Sequence, residues 1–407
     1  MAVKNERYYI IRGRIFAVLI SLLLSMPSFC RIAVSDSTSV IHRIGIEYQP
    51  TLIFRSNDFL KGDNYEQKRV GLSHAFHLKY SSAFRPQTII GQLYKNGYQG
   101  VGVSYSLFGL PKELGDPVSI YFFHGSSICQ LKHYLSWNYE WNFGISLGWK
   151  PYDQFTNDSN LMIGSKANAY LNLGTYLNWR LSSAFDLYTG ISFTHFSNGN
   201  TKYPNAGLNT SALKIGLVYD VNRKEQDKWK QKETIPFFEK HISYDVIMFG
   251  SWRRRGVCID DERIAAPGAY GVAGFNFASM YNIDYRFRAG ISFDGVYDAS
   301  ANLYYDDYIA GTMPEFKRPV FSKQIALGVS GRAEYVMPYF SINAGFGVNL
   351  LHRGGDMKGV YQVLALKVDV TRNMFLHIGY NLKEFKYPNY LMLGIGIRLH
   401  NLRRNLF

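Results

Sequence analysis

Beyond its first thirty residues the chain never reaches eighteen uninterrupted apolar residues, the length a spanning helix needs, yet short alternating segments recur throughout. In Phe185–Ser197 the residues Phe185, Leu187, Thr189, Ile191, Phe193, His195 and Ser197 fall on one face of a strand. Asp186, Tyr188, Gly190, Ser192, Thr194 and Phe196 fall on the other. About eight such segments lie between residues 43 and 221 and about eight between 241 and 400, separated by the charged stretch 222–240. The chain has 31 Tyr, 28 Phe and 37 Gly but only 19% charged residues, which suits a barrel with aromatic girdles better than a large soluble all-β protein. The pattern predicts an all-β fold, an antiparallel transmembrane β-barrel of about 14–16 strands in one barrel, with two tandem barrels of about eight strands as the alternative.

The N-terminus reads as a secretory signal over residues 1–33. Lys4, Arg7, Arg12 and Arg14 precede an apolar run from Ile15 to about Met26, then Pro27 and small residues. The rest divides into a barrel half at 37–222, a charged linker at 223–240 and a second barrel half at 241–407. The formal charge of +14 invites a nucleic-acid reading, but an exported barrel does not meet nucleic acid. Anionic lipid headgroups are the partner expected for its scattered Lys and Arg. Past the signal only Cys129 and Cys258 remain, no Cys/His cluster has metal-ligand spacing, and no cofactor is expected.

His195 and Ser197 sit at the end of the greasier strand face, where an imidazole can activate a hydroxyl. In a membrane barrel that face looks at lipid, which suggests a lipid substrate. The halves also resemble each other. Gly190–Phe196 aligns with Gly379–Phe385, and each is followed by Lys-Tyr-Pro-Asn, at 202–205 and at 386–389. The second copy has Glu384 in place of His195 and lacks the Ser197–Thr201 insertion, so it is a degenerate half without a nucleophile.

His195-Phe-Ser-Asn198 followed by Lys202-Tyr-Pro-Asn-Ala-Gly207 resembles the signature of the outer-membrane lipid A 3-O-deacylases, also called acyloxyacyl hydrolases. The resemblance implies a serine esterase of the bacterial outer membrane that removes an ester-linked acyl chain from the lipid A of lipopolysaccharide. It makes His195 the general base and Ser197 the nucleophile, with Asn198 and Asn205 around the oxyanion hole. The family has a Glu fourteen residues after the histidine to orient the imidazole, where this chain has Asn209. An Asn there, with His195-Phe-Ser-Asn-Gly199, is similar to the outer-membrane phospholipases A, so phospholipid stays open as substrate and Ca²⁺ as its cofactor. A non-enzymatic pore or structural barrel is the third reading, and it expects Ser197 in the lumen, away from His195.

Overall fold

A computed structural model describes residues 40–402 except 96, 224–231, 255, 260–261, 266–267, 306–314 and 384–386. The expected signal segment, Glu384 and Lys386 lie outside the described residues. The first eight strands are β1 (Val40–Ile53), β2 (Leu72–Phe84), β3 (Tyr98–Leu107), β4 (Gly115–Lys132), β5 (Leu135–Trp149), β6 (Ala167–Arg180), β7 (Phe185–Ser197) and β8 (Leu208–Asp220). There follow β9 (His241–Arg253), β10 (Gly256–Ile259), β11 (Glu262–Ala265), β12 (Tyr270–Asn282), β13 (Phe287–Asp298), β14 (Tyr304–Tyr305) and β15 (Phe316–Lys317). The last are β16 (Ile325–Val336), β17 (Phe340–His352), β18 (Val360–Asp369), β19 (Met374–Lys383) and β20 (Tyr387–Leu399). The alternating segments of the sequence become the sixteen long strands. The pairs β10–β11 and β14–β15 are small ribbons too short to show a period.

The expectation of one barrel of about 14–16 strands is corrected here to its alternative of two. Strand β8 returns to β1, with Asp220 opposite Arg43 and Thr210 opposite Ile53. Strand β20 returns to β9, and β9 also pairs with β12. The reason lies inside. An eight-stranded barrel has an interior just wide enough for side chains, so large and ion-paired inward residues favour it over a wide water-filled lumen. In the first barrel Lys79 Nζ lies 2.9 Å from Glu47 and 2.6 Å from Glu140, while Lys214 Nζ lies 3.0 Å from Glu140 and 3.5 Å from Glu47. Phe123 has its ring 5.2 Å from Lys79 Nζ, and Tyr121, Trp149 and Tyr170 belong to the same buried core. The second barrel repeats the device with other residues: Lys367 Nζ is 2.8 Å from Asp245 and 2.7 Å from Glu334, and Arg398 Nε is 2.8 Å from Asp245. Side chains that fill both interiors argue against an open pore.

Outward faces are apolar and bare, as a lipid-facing wall requires: Leu173, Ile191, Leu213, Met248 and Ile291 are all more than half exposed. The connections at 133–134, 181–184, 283–286, 337–339 and 370–373 are short and share one end of the strands. Within each barrel the longest ones, 54–71 and 150–166 in the first and 299–324 in the second, lie at the other end, which is the asymmetry of periplasmic turns and outer loops. Strand β7 therefore ends at the outer rim.

Lys214 is fully buried between two carboxylates. Lys214→Ala leaves Glu47 and Glu140 to share Lys79, and an uncompensated buried charge costs about 3–5 kcal/mol. A urea titration of the folded protein should show a clearly lowered midpoint; an unchanged midpoint contradicts the structural role of the cluster.

Candidate active site

The outer end of β7 is fixed by the residue between the two candidates. Phe196 points inward and is buried, its ring 5.0 Å from Trp149, 5.5 Å from Tyr170 and 5.8 Å from Phe108. With that anchor in the lumen, pleating turns His195 and Ser197 outward together, both half-buried. Phe193, next on the same face, packs its ring 6.0 Å from Phe54 and is well exposed, so the wall leading to the pair is apolar.

His195 stands opposite Asn209 in the β7–β8 ladder, and its Nδ1 lies 2.6 Å from Asn209 Oδ1. An amide oxygen only accepts, so Nδ1 carries the proton and Nε2 is the basic nitrogen. The other side of the ring rests over Gly207, at φ +74°, where an added Cβ would stand 3.0 Å from His195 Cε1. Only glycine gives both this backbone and this clearance. Asn209 is itself tied to β1, its carbonyl accepting the Phe54 N–H at 3.0 Å.

Ser197 closes the strand. Its Oγ accepts from the Gly199 N–H at 3.0 Å and from Asn205 Nδ2 at 3.2 Å. The Asn198 N–H donates to Asn205 Oδ1 at 2.9 Å and so orients that amide. The Asn198 side chain is turned away, donating from Nδ2 to the Lys202 carbonyl at 2.7 Å. Of the two asparagines expected around an oxyanion, Asn205 reaches the serine oxygen, and Asn198 acts through it. The Gly199 N–H is a donor that a motif of side-chain types does not reveal. Its signal is Asn198-Gly-Asn200, in which Gly199 and Asn200 take φ +64° and +61°. His195 and Ser197 share the wall without a hydrogen bond between them, since each is held by its own partners.

The loop 198–207 is supported by the 150–166 connection. The Gly207 N–H donates to Met162 O at 3.1 Å, the Ala206 N–H donates to Leu161 O at 3.4 Å, and Met162 and Ile163 are fully buried. Among the described residues, no group of three or more His, Cys, Asp or Glu gathers as metal ligands. Cys129 is free and exposed, and the Cys258 side chain is outside the described residues.

Residues 66–218 match the family described as lipid A 3-O-deacylase (PagL), and residues 242–401 match the one described as acyloxyacyl hydrolase, C-terminal domain. Among solved structures, Neisserial surface protein A is 10% identical, with 44% of this chain and 96% of that one covered at a TM-score of 0.29. The outer membrane enzyme PagL is 18% identical, with 43% and 97% covered at a TM-score of 0.26. A mutant of the TodX monoaromatic hydrocarbon channel is 8% identical, with 89% and 90% covered at a TM-score of 0.18. No curated protein matches the chain.

Asn209 is the only residue hydrogen-bonded to the His195 ring among the described residues. Asn209→Ala should lower the rate of ester hydrolysis by at least about tenfold, because the imidazole loses its fixed tautomer and orientation. Asn209→Glu should keep activity, since a carboxylate also accepts from Nδ1–H. Wild-type rates and pH profiles in both variants would remove Asn209 from the site.

Proposed function

Because the chain belongs to the lipid A 3-O-deacylase family and is a β-barrel protein of the bacterial outer membrane, we propose that its first barrel is a serine esterase that removes an ester-linked acyl chain from lipid A. The observation that carries this reading is the placement of His195, Ser197 and Asn209 on the outward wall at the outer rim, the side on which lipopolysaccharide resides. Ser197 Oγ leaves its resting donors, attacks the ester carbonyl and passes its proton to His195 Nε2. Asn209 holds the imidazolium through Nδ1–H. The Gly199 N–H and Asn205 Nδ2, now on the serine oxygen, lie within reach of the oxyanion. The sugar oxygen departs with the proton from His195, leaving an acyl-Ser197 ester. Water, deprotonated by the same nitrogen, releases the fatty acid and restores the hydroxyl. The apolar lane of Phe54 and Phe193 suits an acyl chain.

Hydrolysis of phospholipid is the second reading, favoured by the amide of Asn209 in the place of a carboxylate. The reading we prefer needs no metal in any step. Mass spectrometry of lipid A and phospholipids separates the two, from cells expressing the wild type, Ser197→Ala or His195→Ala. Lipid A one acyl chain lighter in the wild type alone is the expected result. Lysophospholipid with intact lipid A would establish the second reading, and a change that persists in Ser197→Ala would reject both.

The metal question has its own measurement. The purified protein should hydrolyse a long-chain p-nitrophenyl ester equally well before and after chelation with EDTA and passage into Ca²⁺-free buffer. Loss of activity restored by Ca²⁺ would place this site with the phospholipases.

A further inference from the structure

Tyr380 belongs to the second barrel, yet it touches the turn that carries the candidate nucleophile of the first. It stands on the outward side of β19, between the lumen-facing Gly379 and Asn381. A Cβ built on Gly199 would lie 2.9 Å from Tyr380 Cε2 and 3.6 Å from its hydroxyl oxygen, so the ring edge is pressed against the Gly199 backbone. One residue on, the Arg254 N–H, beyond the end of β9, donates to the Asn200 carbonyl at 3.2 Å. The barrels also meet far from this turn, where Phe340 packs its ring 5.9 Å from Phe122 and 6.0 Å from Trp141. Among the described residues, the second barrel thus reaches this turn of the first through two consecutive residues, Gly199 and Asn200. Both sit in the left-handed region, where a short turn needs outside support to keep one shape.

We propose that the second barrel completes the active site of the first, with Tyr380 as a positioning residue whose ring holds the Ser197–Asn200 turn in its working shape. The inference rests on Ser197 being the nucleophile. The turn carries the Gly199 N–H that binds Ser197 Oγ, so a shift of Gly199 moves the nucleophile and its nearest main-chain donor together. Misplacement of about 1 Å at a reacting group costs on the order of 100-fold in rate. The Tyr380 hydroxyl is buried and makes no hydrogen bond among the described residues, so the ring rather than the oxygen supplies the support. This gives the degenerate half a task that needs no nucleophile of its own. Tyr380 occupies the position of the repeat that Ile191 holds in the first barrel. A bulky outward side chain there is lipid-facing in β7 and partner-facing in β19.

The test uses the full-length protein in detergent micelles with a long-chain p-nitrophenyl ester, and separates kcat from KM. Tyr380→Ala and Tyr380→Leu, which remove the ring, should each lower kcat by roughly 10- to 100-fold with KM little changed. Tyr380→Phe, which keeps the ring, should rescue kcat to within about twofold of wild type. Circular dichroism and heat-modifiable migration establish that each variant is a folded barrel, and Leu serves should Ala fail to assemble. Wild-type kcat in folded Tyr380→Leu, or a loss in Tyr380→Phe equal to that in Tyr380→Leu, overturns the proposal. Ser197→Ala in the same assay keeps the two readings apart. An inactive Ser197→Ala beside a fully active Tyr380→Leu defeats the inference alone, whereas an active Ser197→Ala defeats the serine mechanism beneath it.

Discussion

Every backbone N–H and C=O that crosses a bilayer must find a partner within the protein, and a sheet meets that demand only by closing. This chain closes twice, β8 on β1 and β20 on β9. Closure at eight strands leaves room inside for side chains alone, and each barrel fills it with buried carboxylates matched to Lys or Arg. The filled interior then decides where chemistry can occur. With both lumens occupied, the candidate reactive groups belong on the outer wall, and the strand period of two is what delivers them there. Phe196 goes in, and His195 and Ser197 go out.

The proposed site lies on that wall, facing the lipid side, and this bears on Asn209. A carboxylate beside His195 would have to be desolvated at the boundary, where a neutral amide pays a smaller penalty. In the mechanism we propose, Asn209 would stabilise an imidazolium less than a carboxylate does, while its 2.6 Å contact still fixes the tautomer. The groups around Ser197 carry little charge as well. Asn205 is an amide, Gly199 contributes main chain, and Asn198 spends its N–H on orienting Asn205.

Much of this was legible in the residues. Alternation located the sixteen long strands to within a few positions and sorted β7 into its inward and outward sets, because a half-lipid, half-lumen strand writes its environment into every second residue. The resemblance around His195 and Lys202 pointed to the family that the first half matches. What the sequence misjudged was the number of barrels: it pointed to one, and the chain closes two. Pairing of β8 with β1 joins residues as far apart as Arg43 and Asp220, and no local pattern records it. The Gly199 donor and the contact from Tyr380 were hidden for a similar reason: one is main chain, and the other comes from a strand distant in sequence.

The central claim is that Ser197 is a nucleophile exposed to lipid, and covalent capture tests it most directly. The purified protein is treated with a long-chain alkyl fluorophosphonate in micelles and its peptides are mapped by mass spectrometry. The account predicts one stoichiometric adduct on Ser197, slowed strongly in His195→Ala and absent in Ser197→Ala. A protein that stays unlabelled while it hydrolyses ester, or an adduct on another residue, would contradict it.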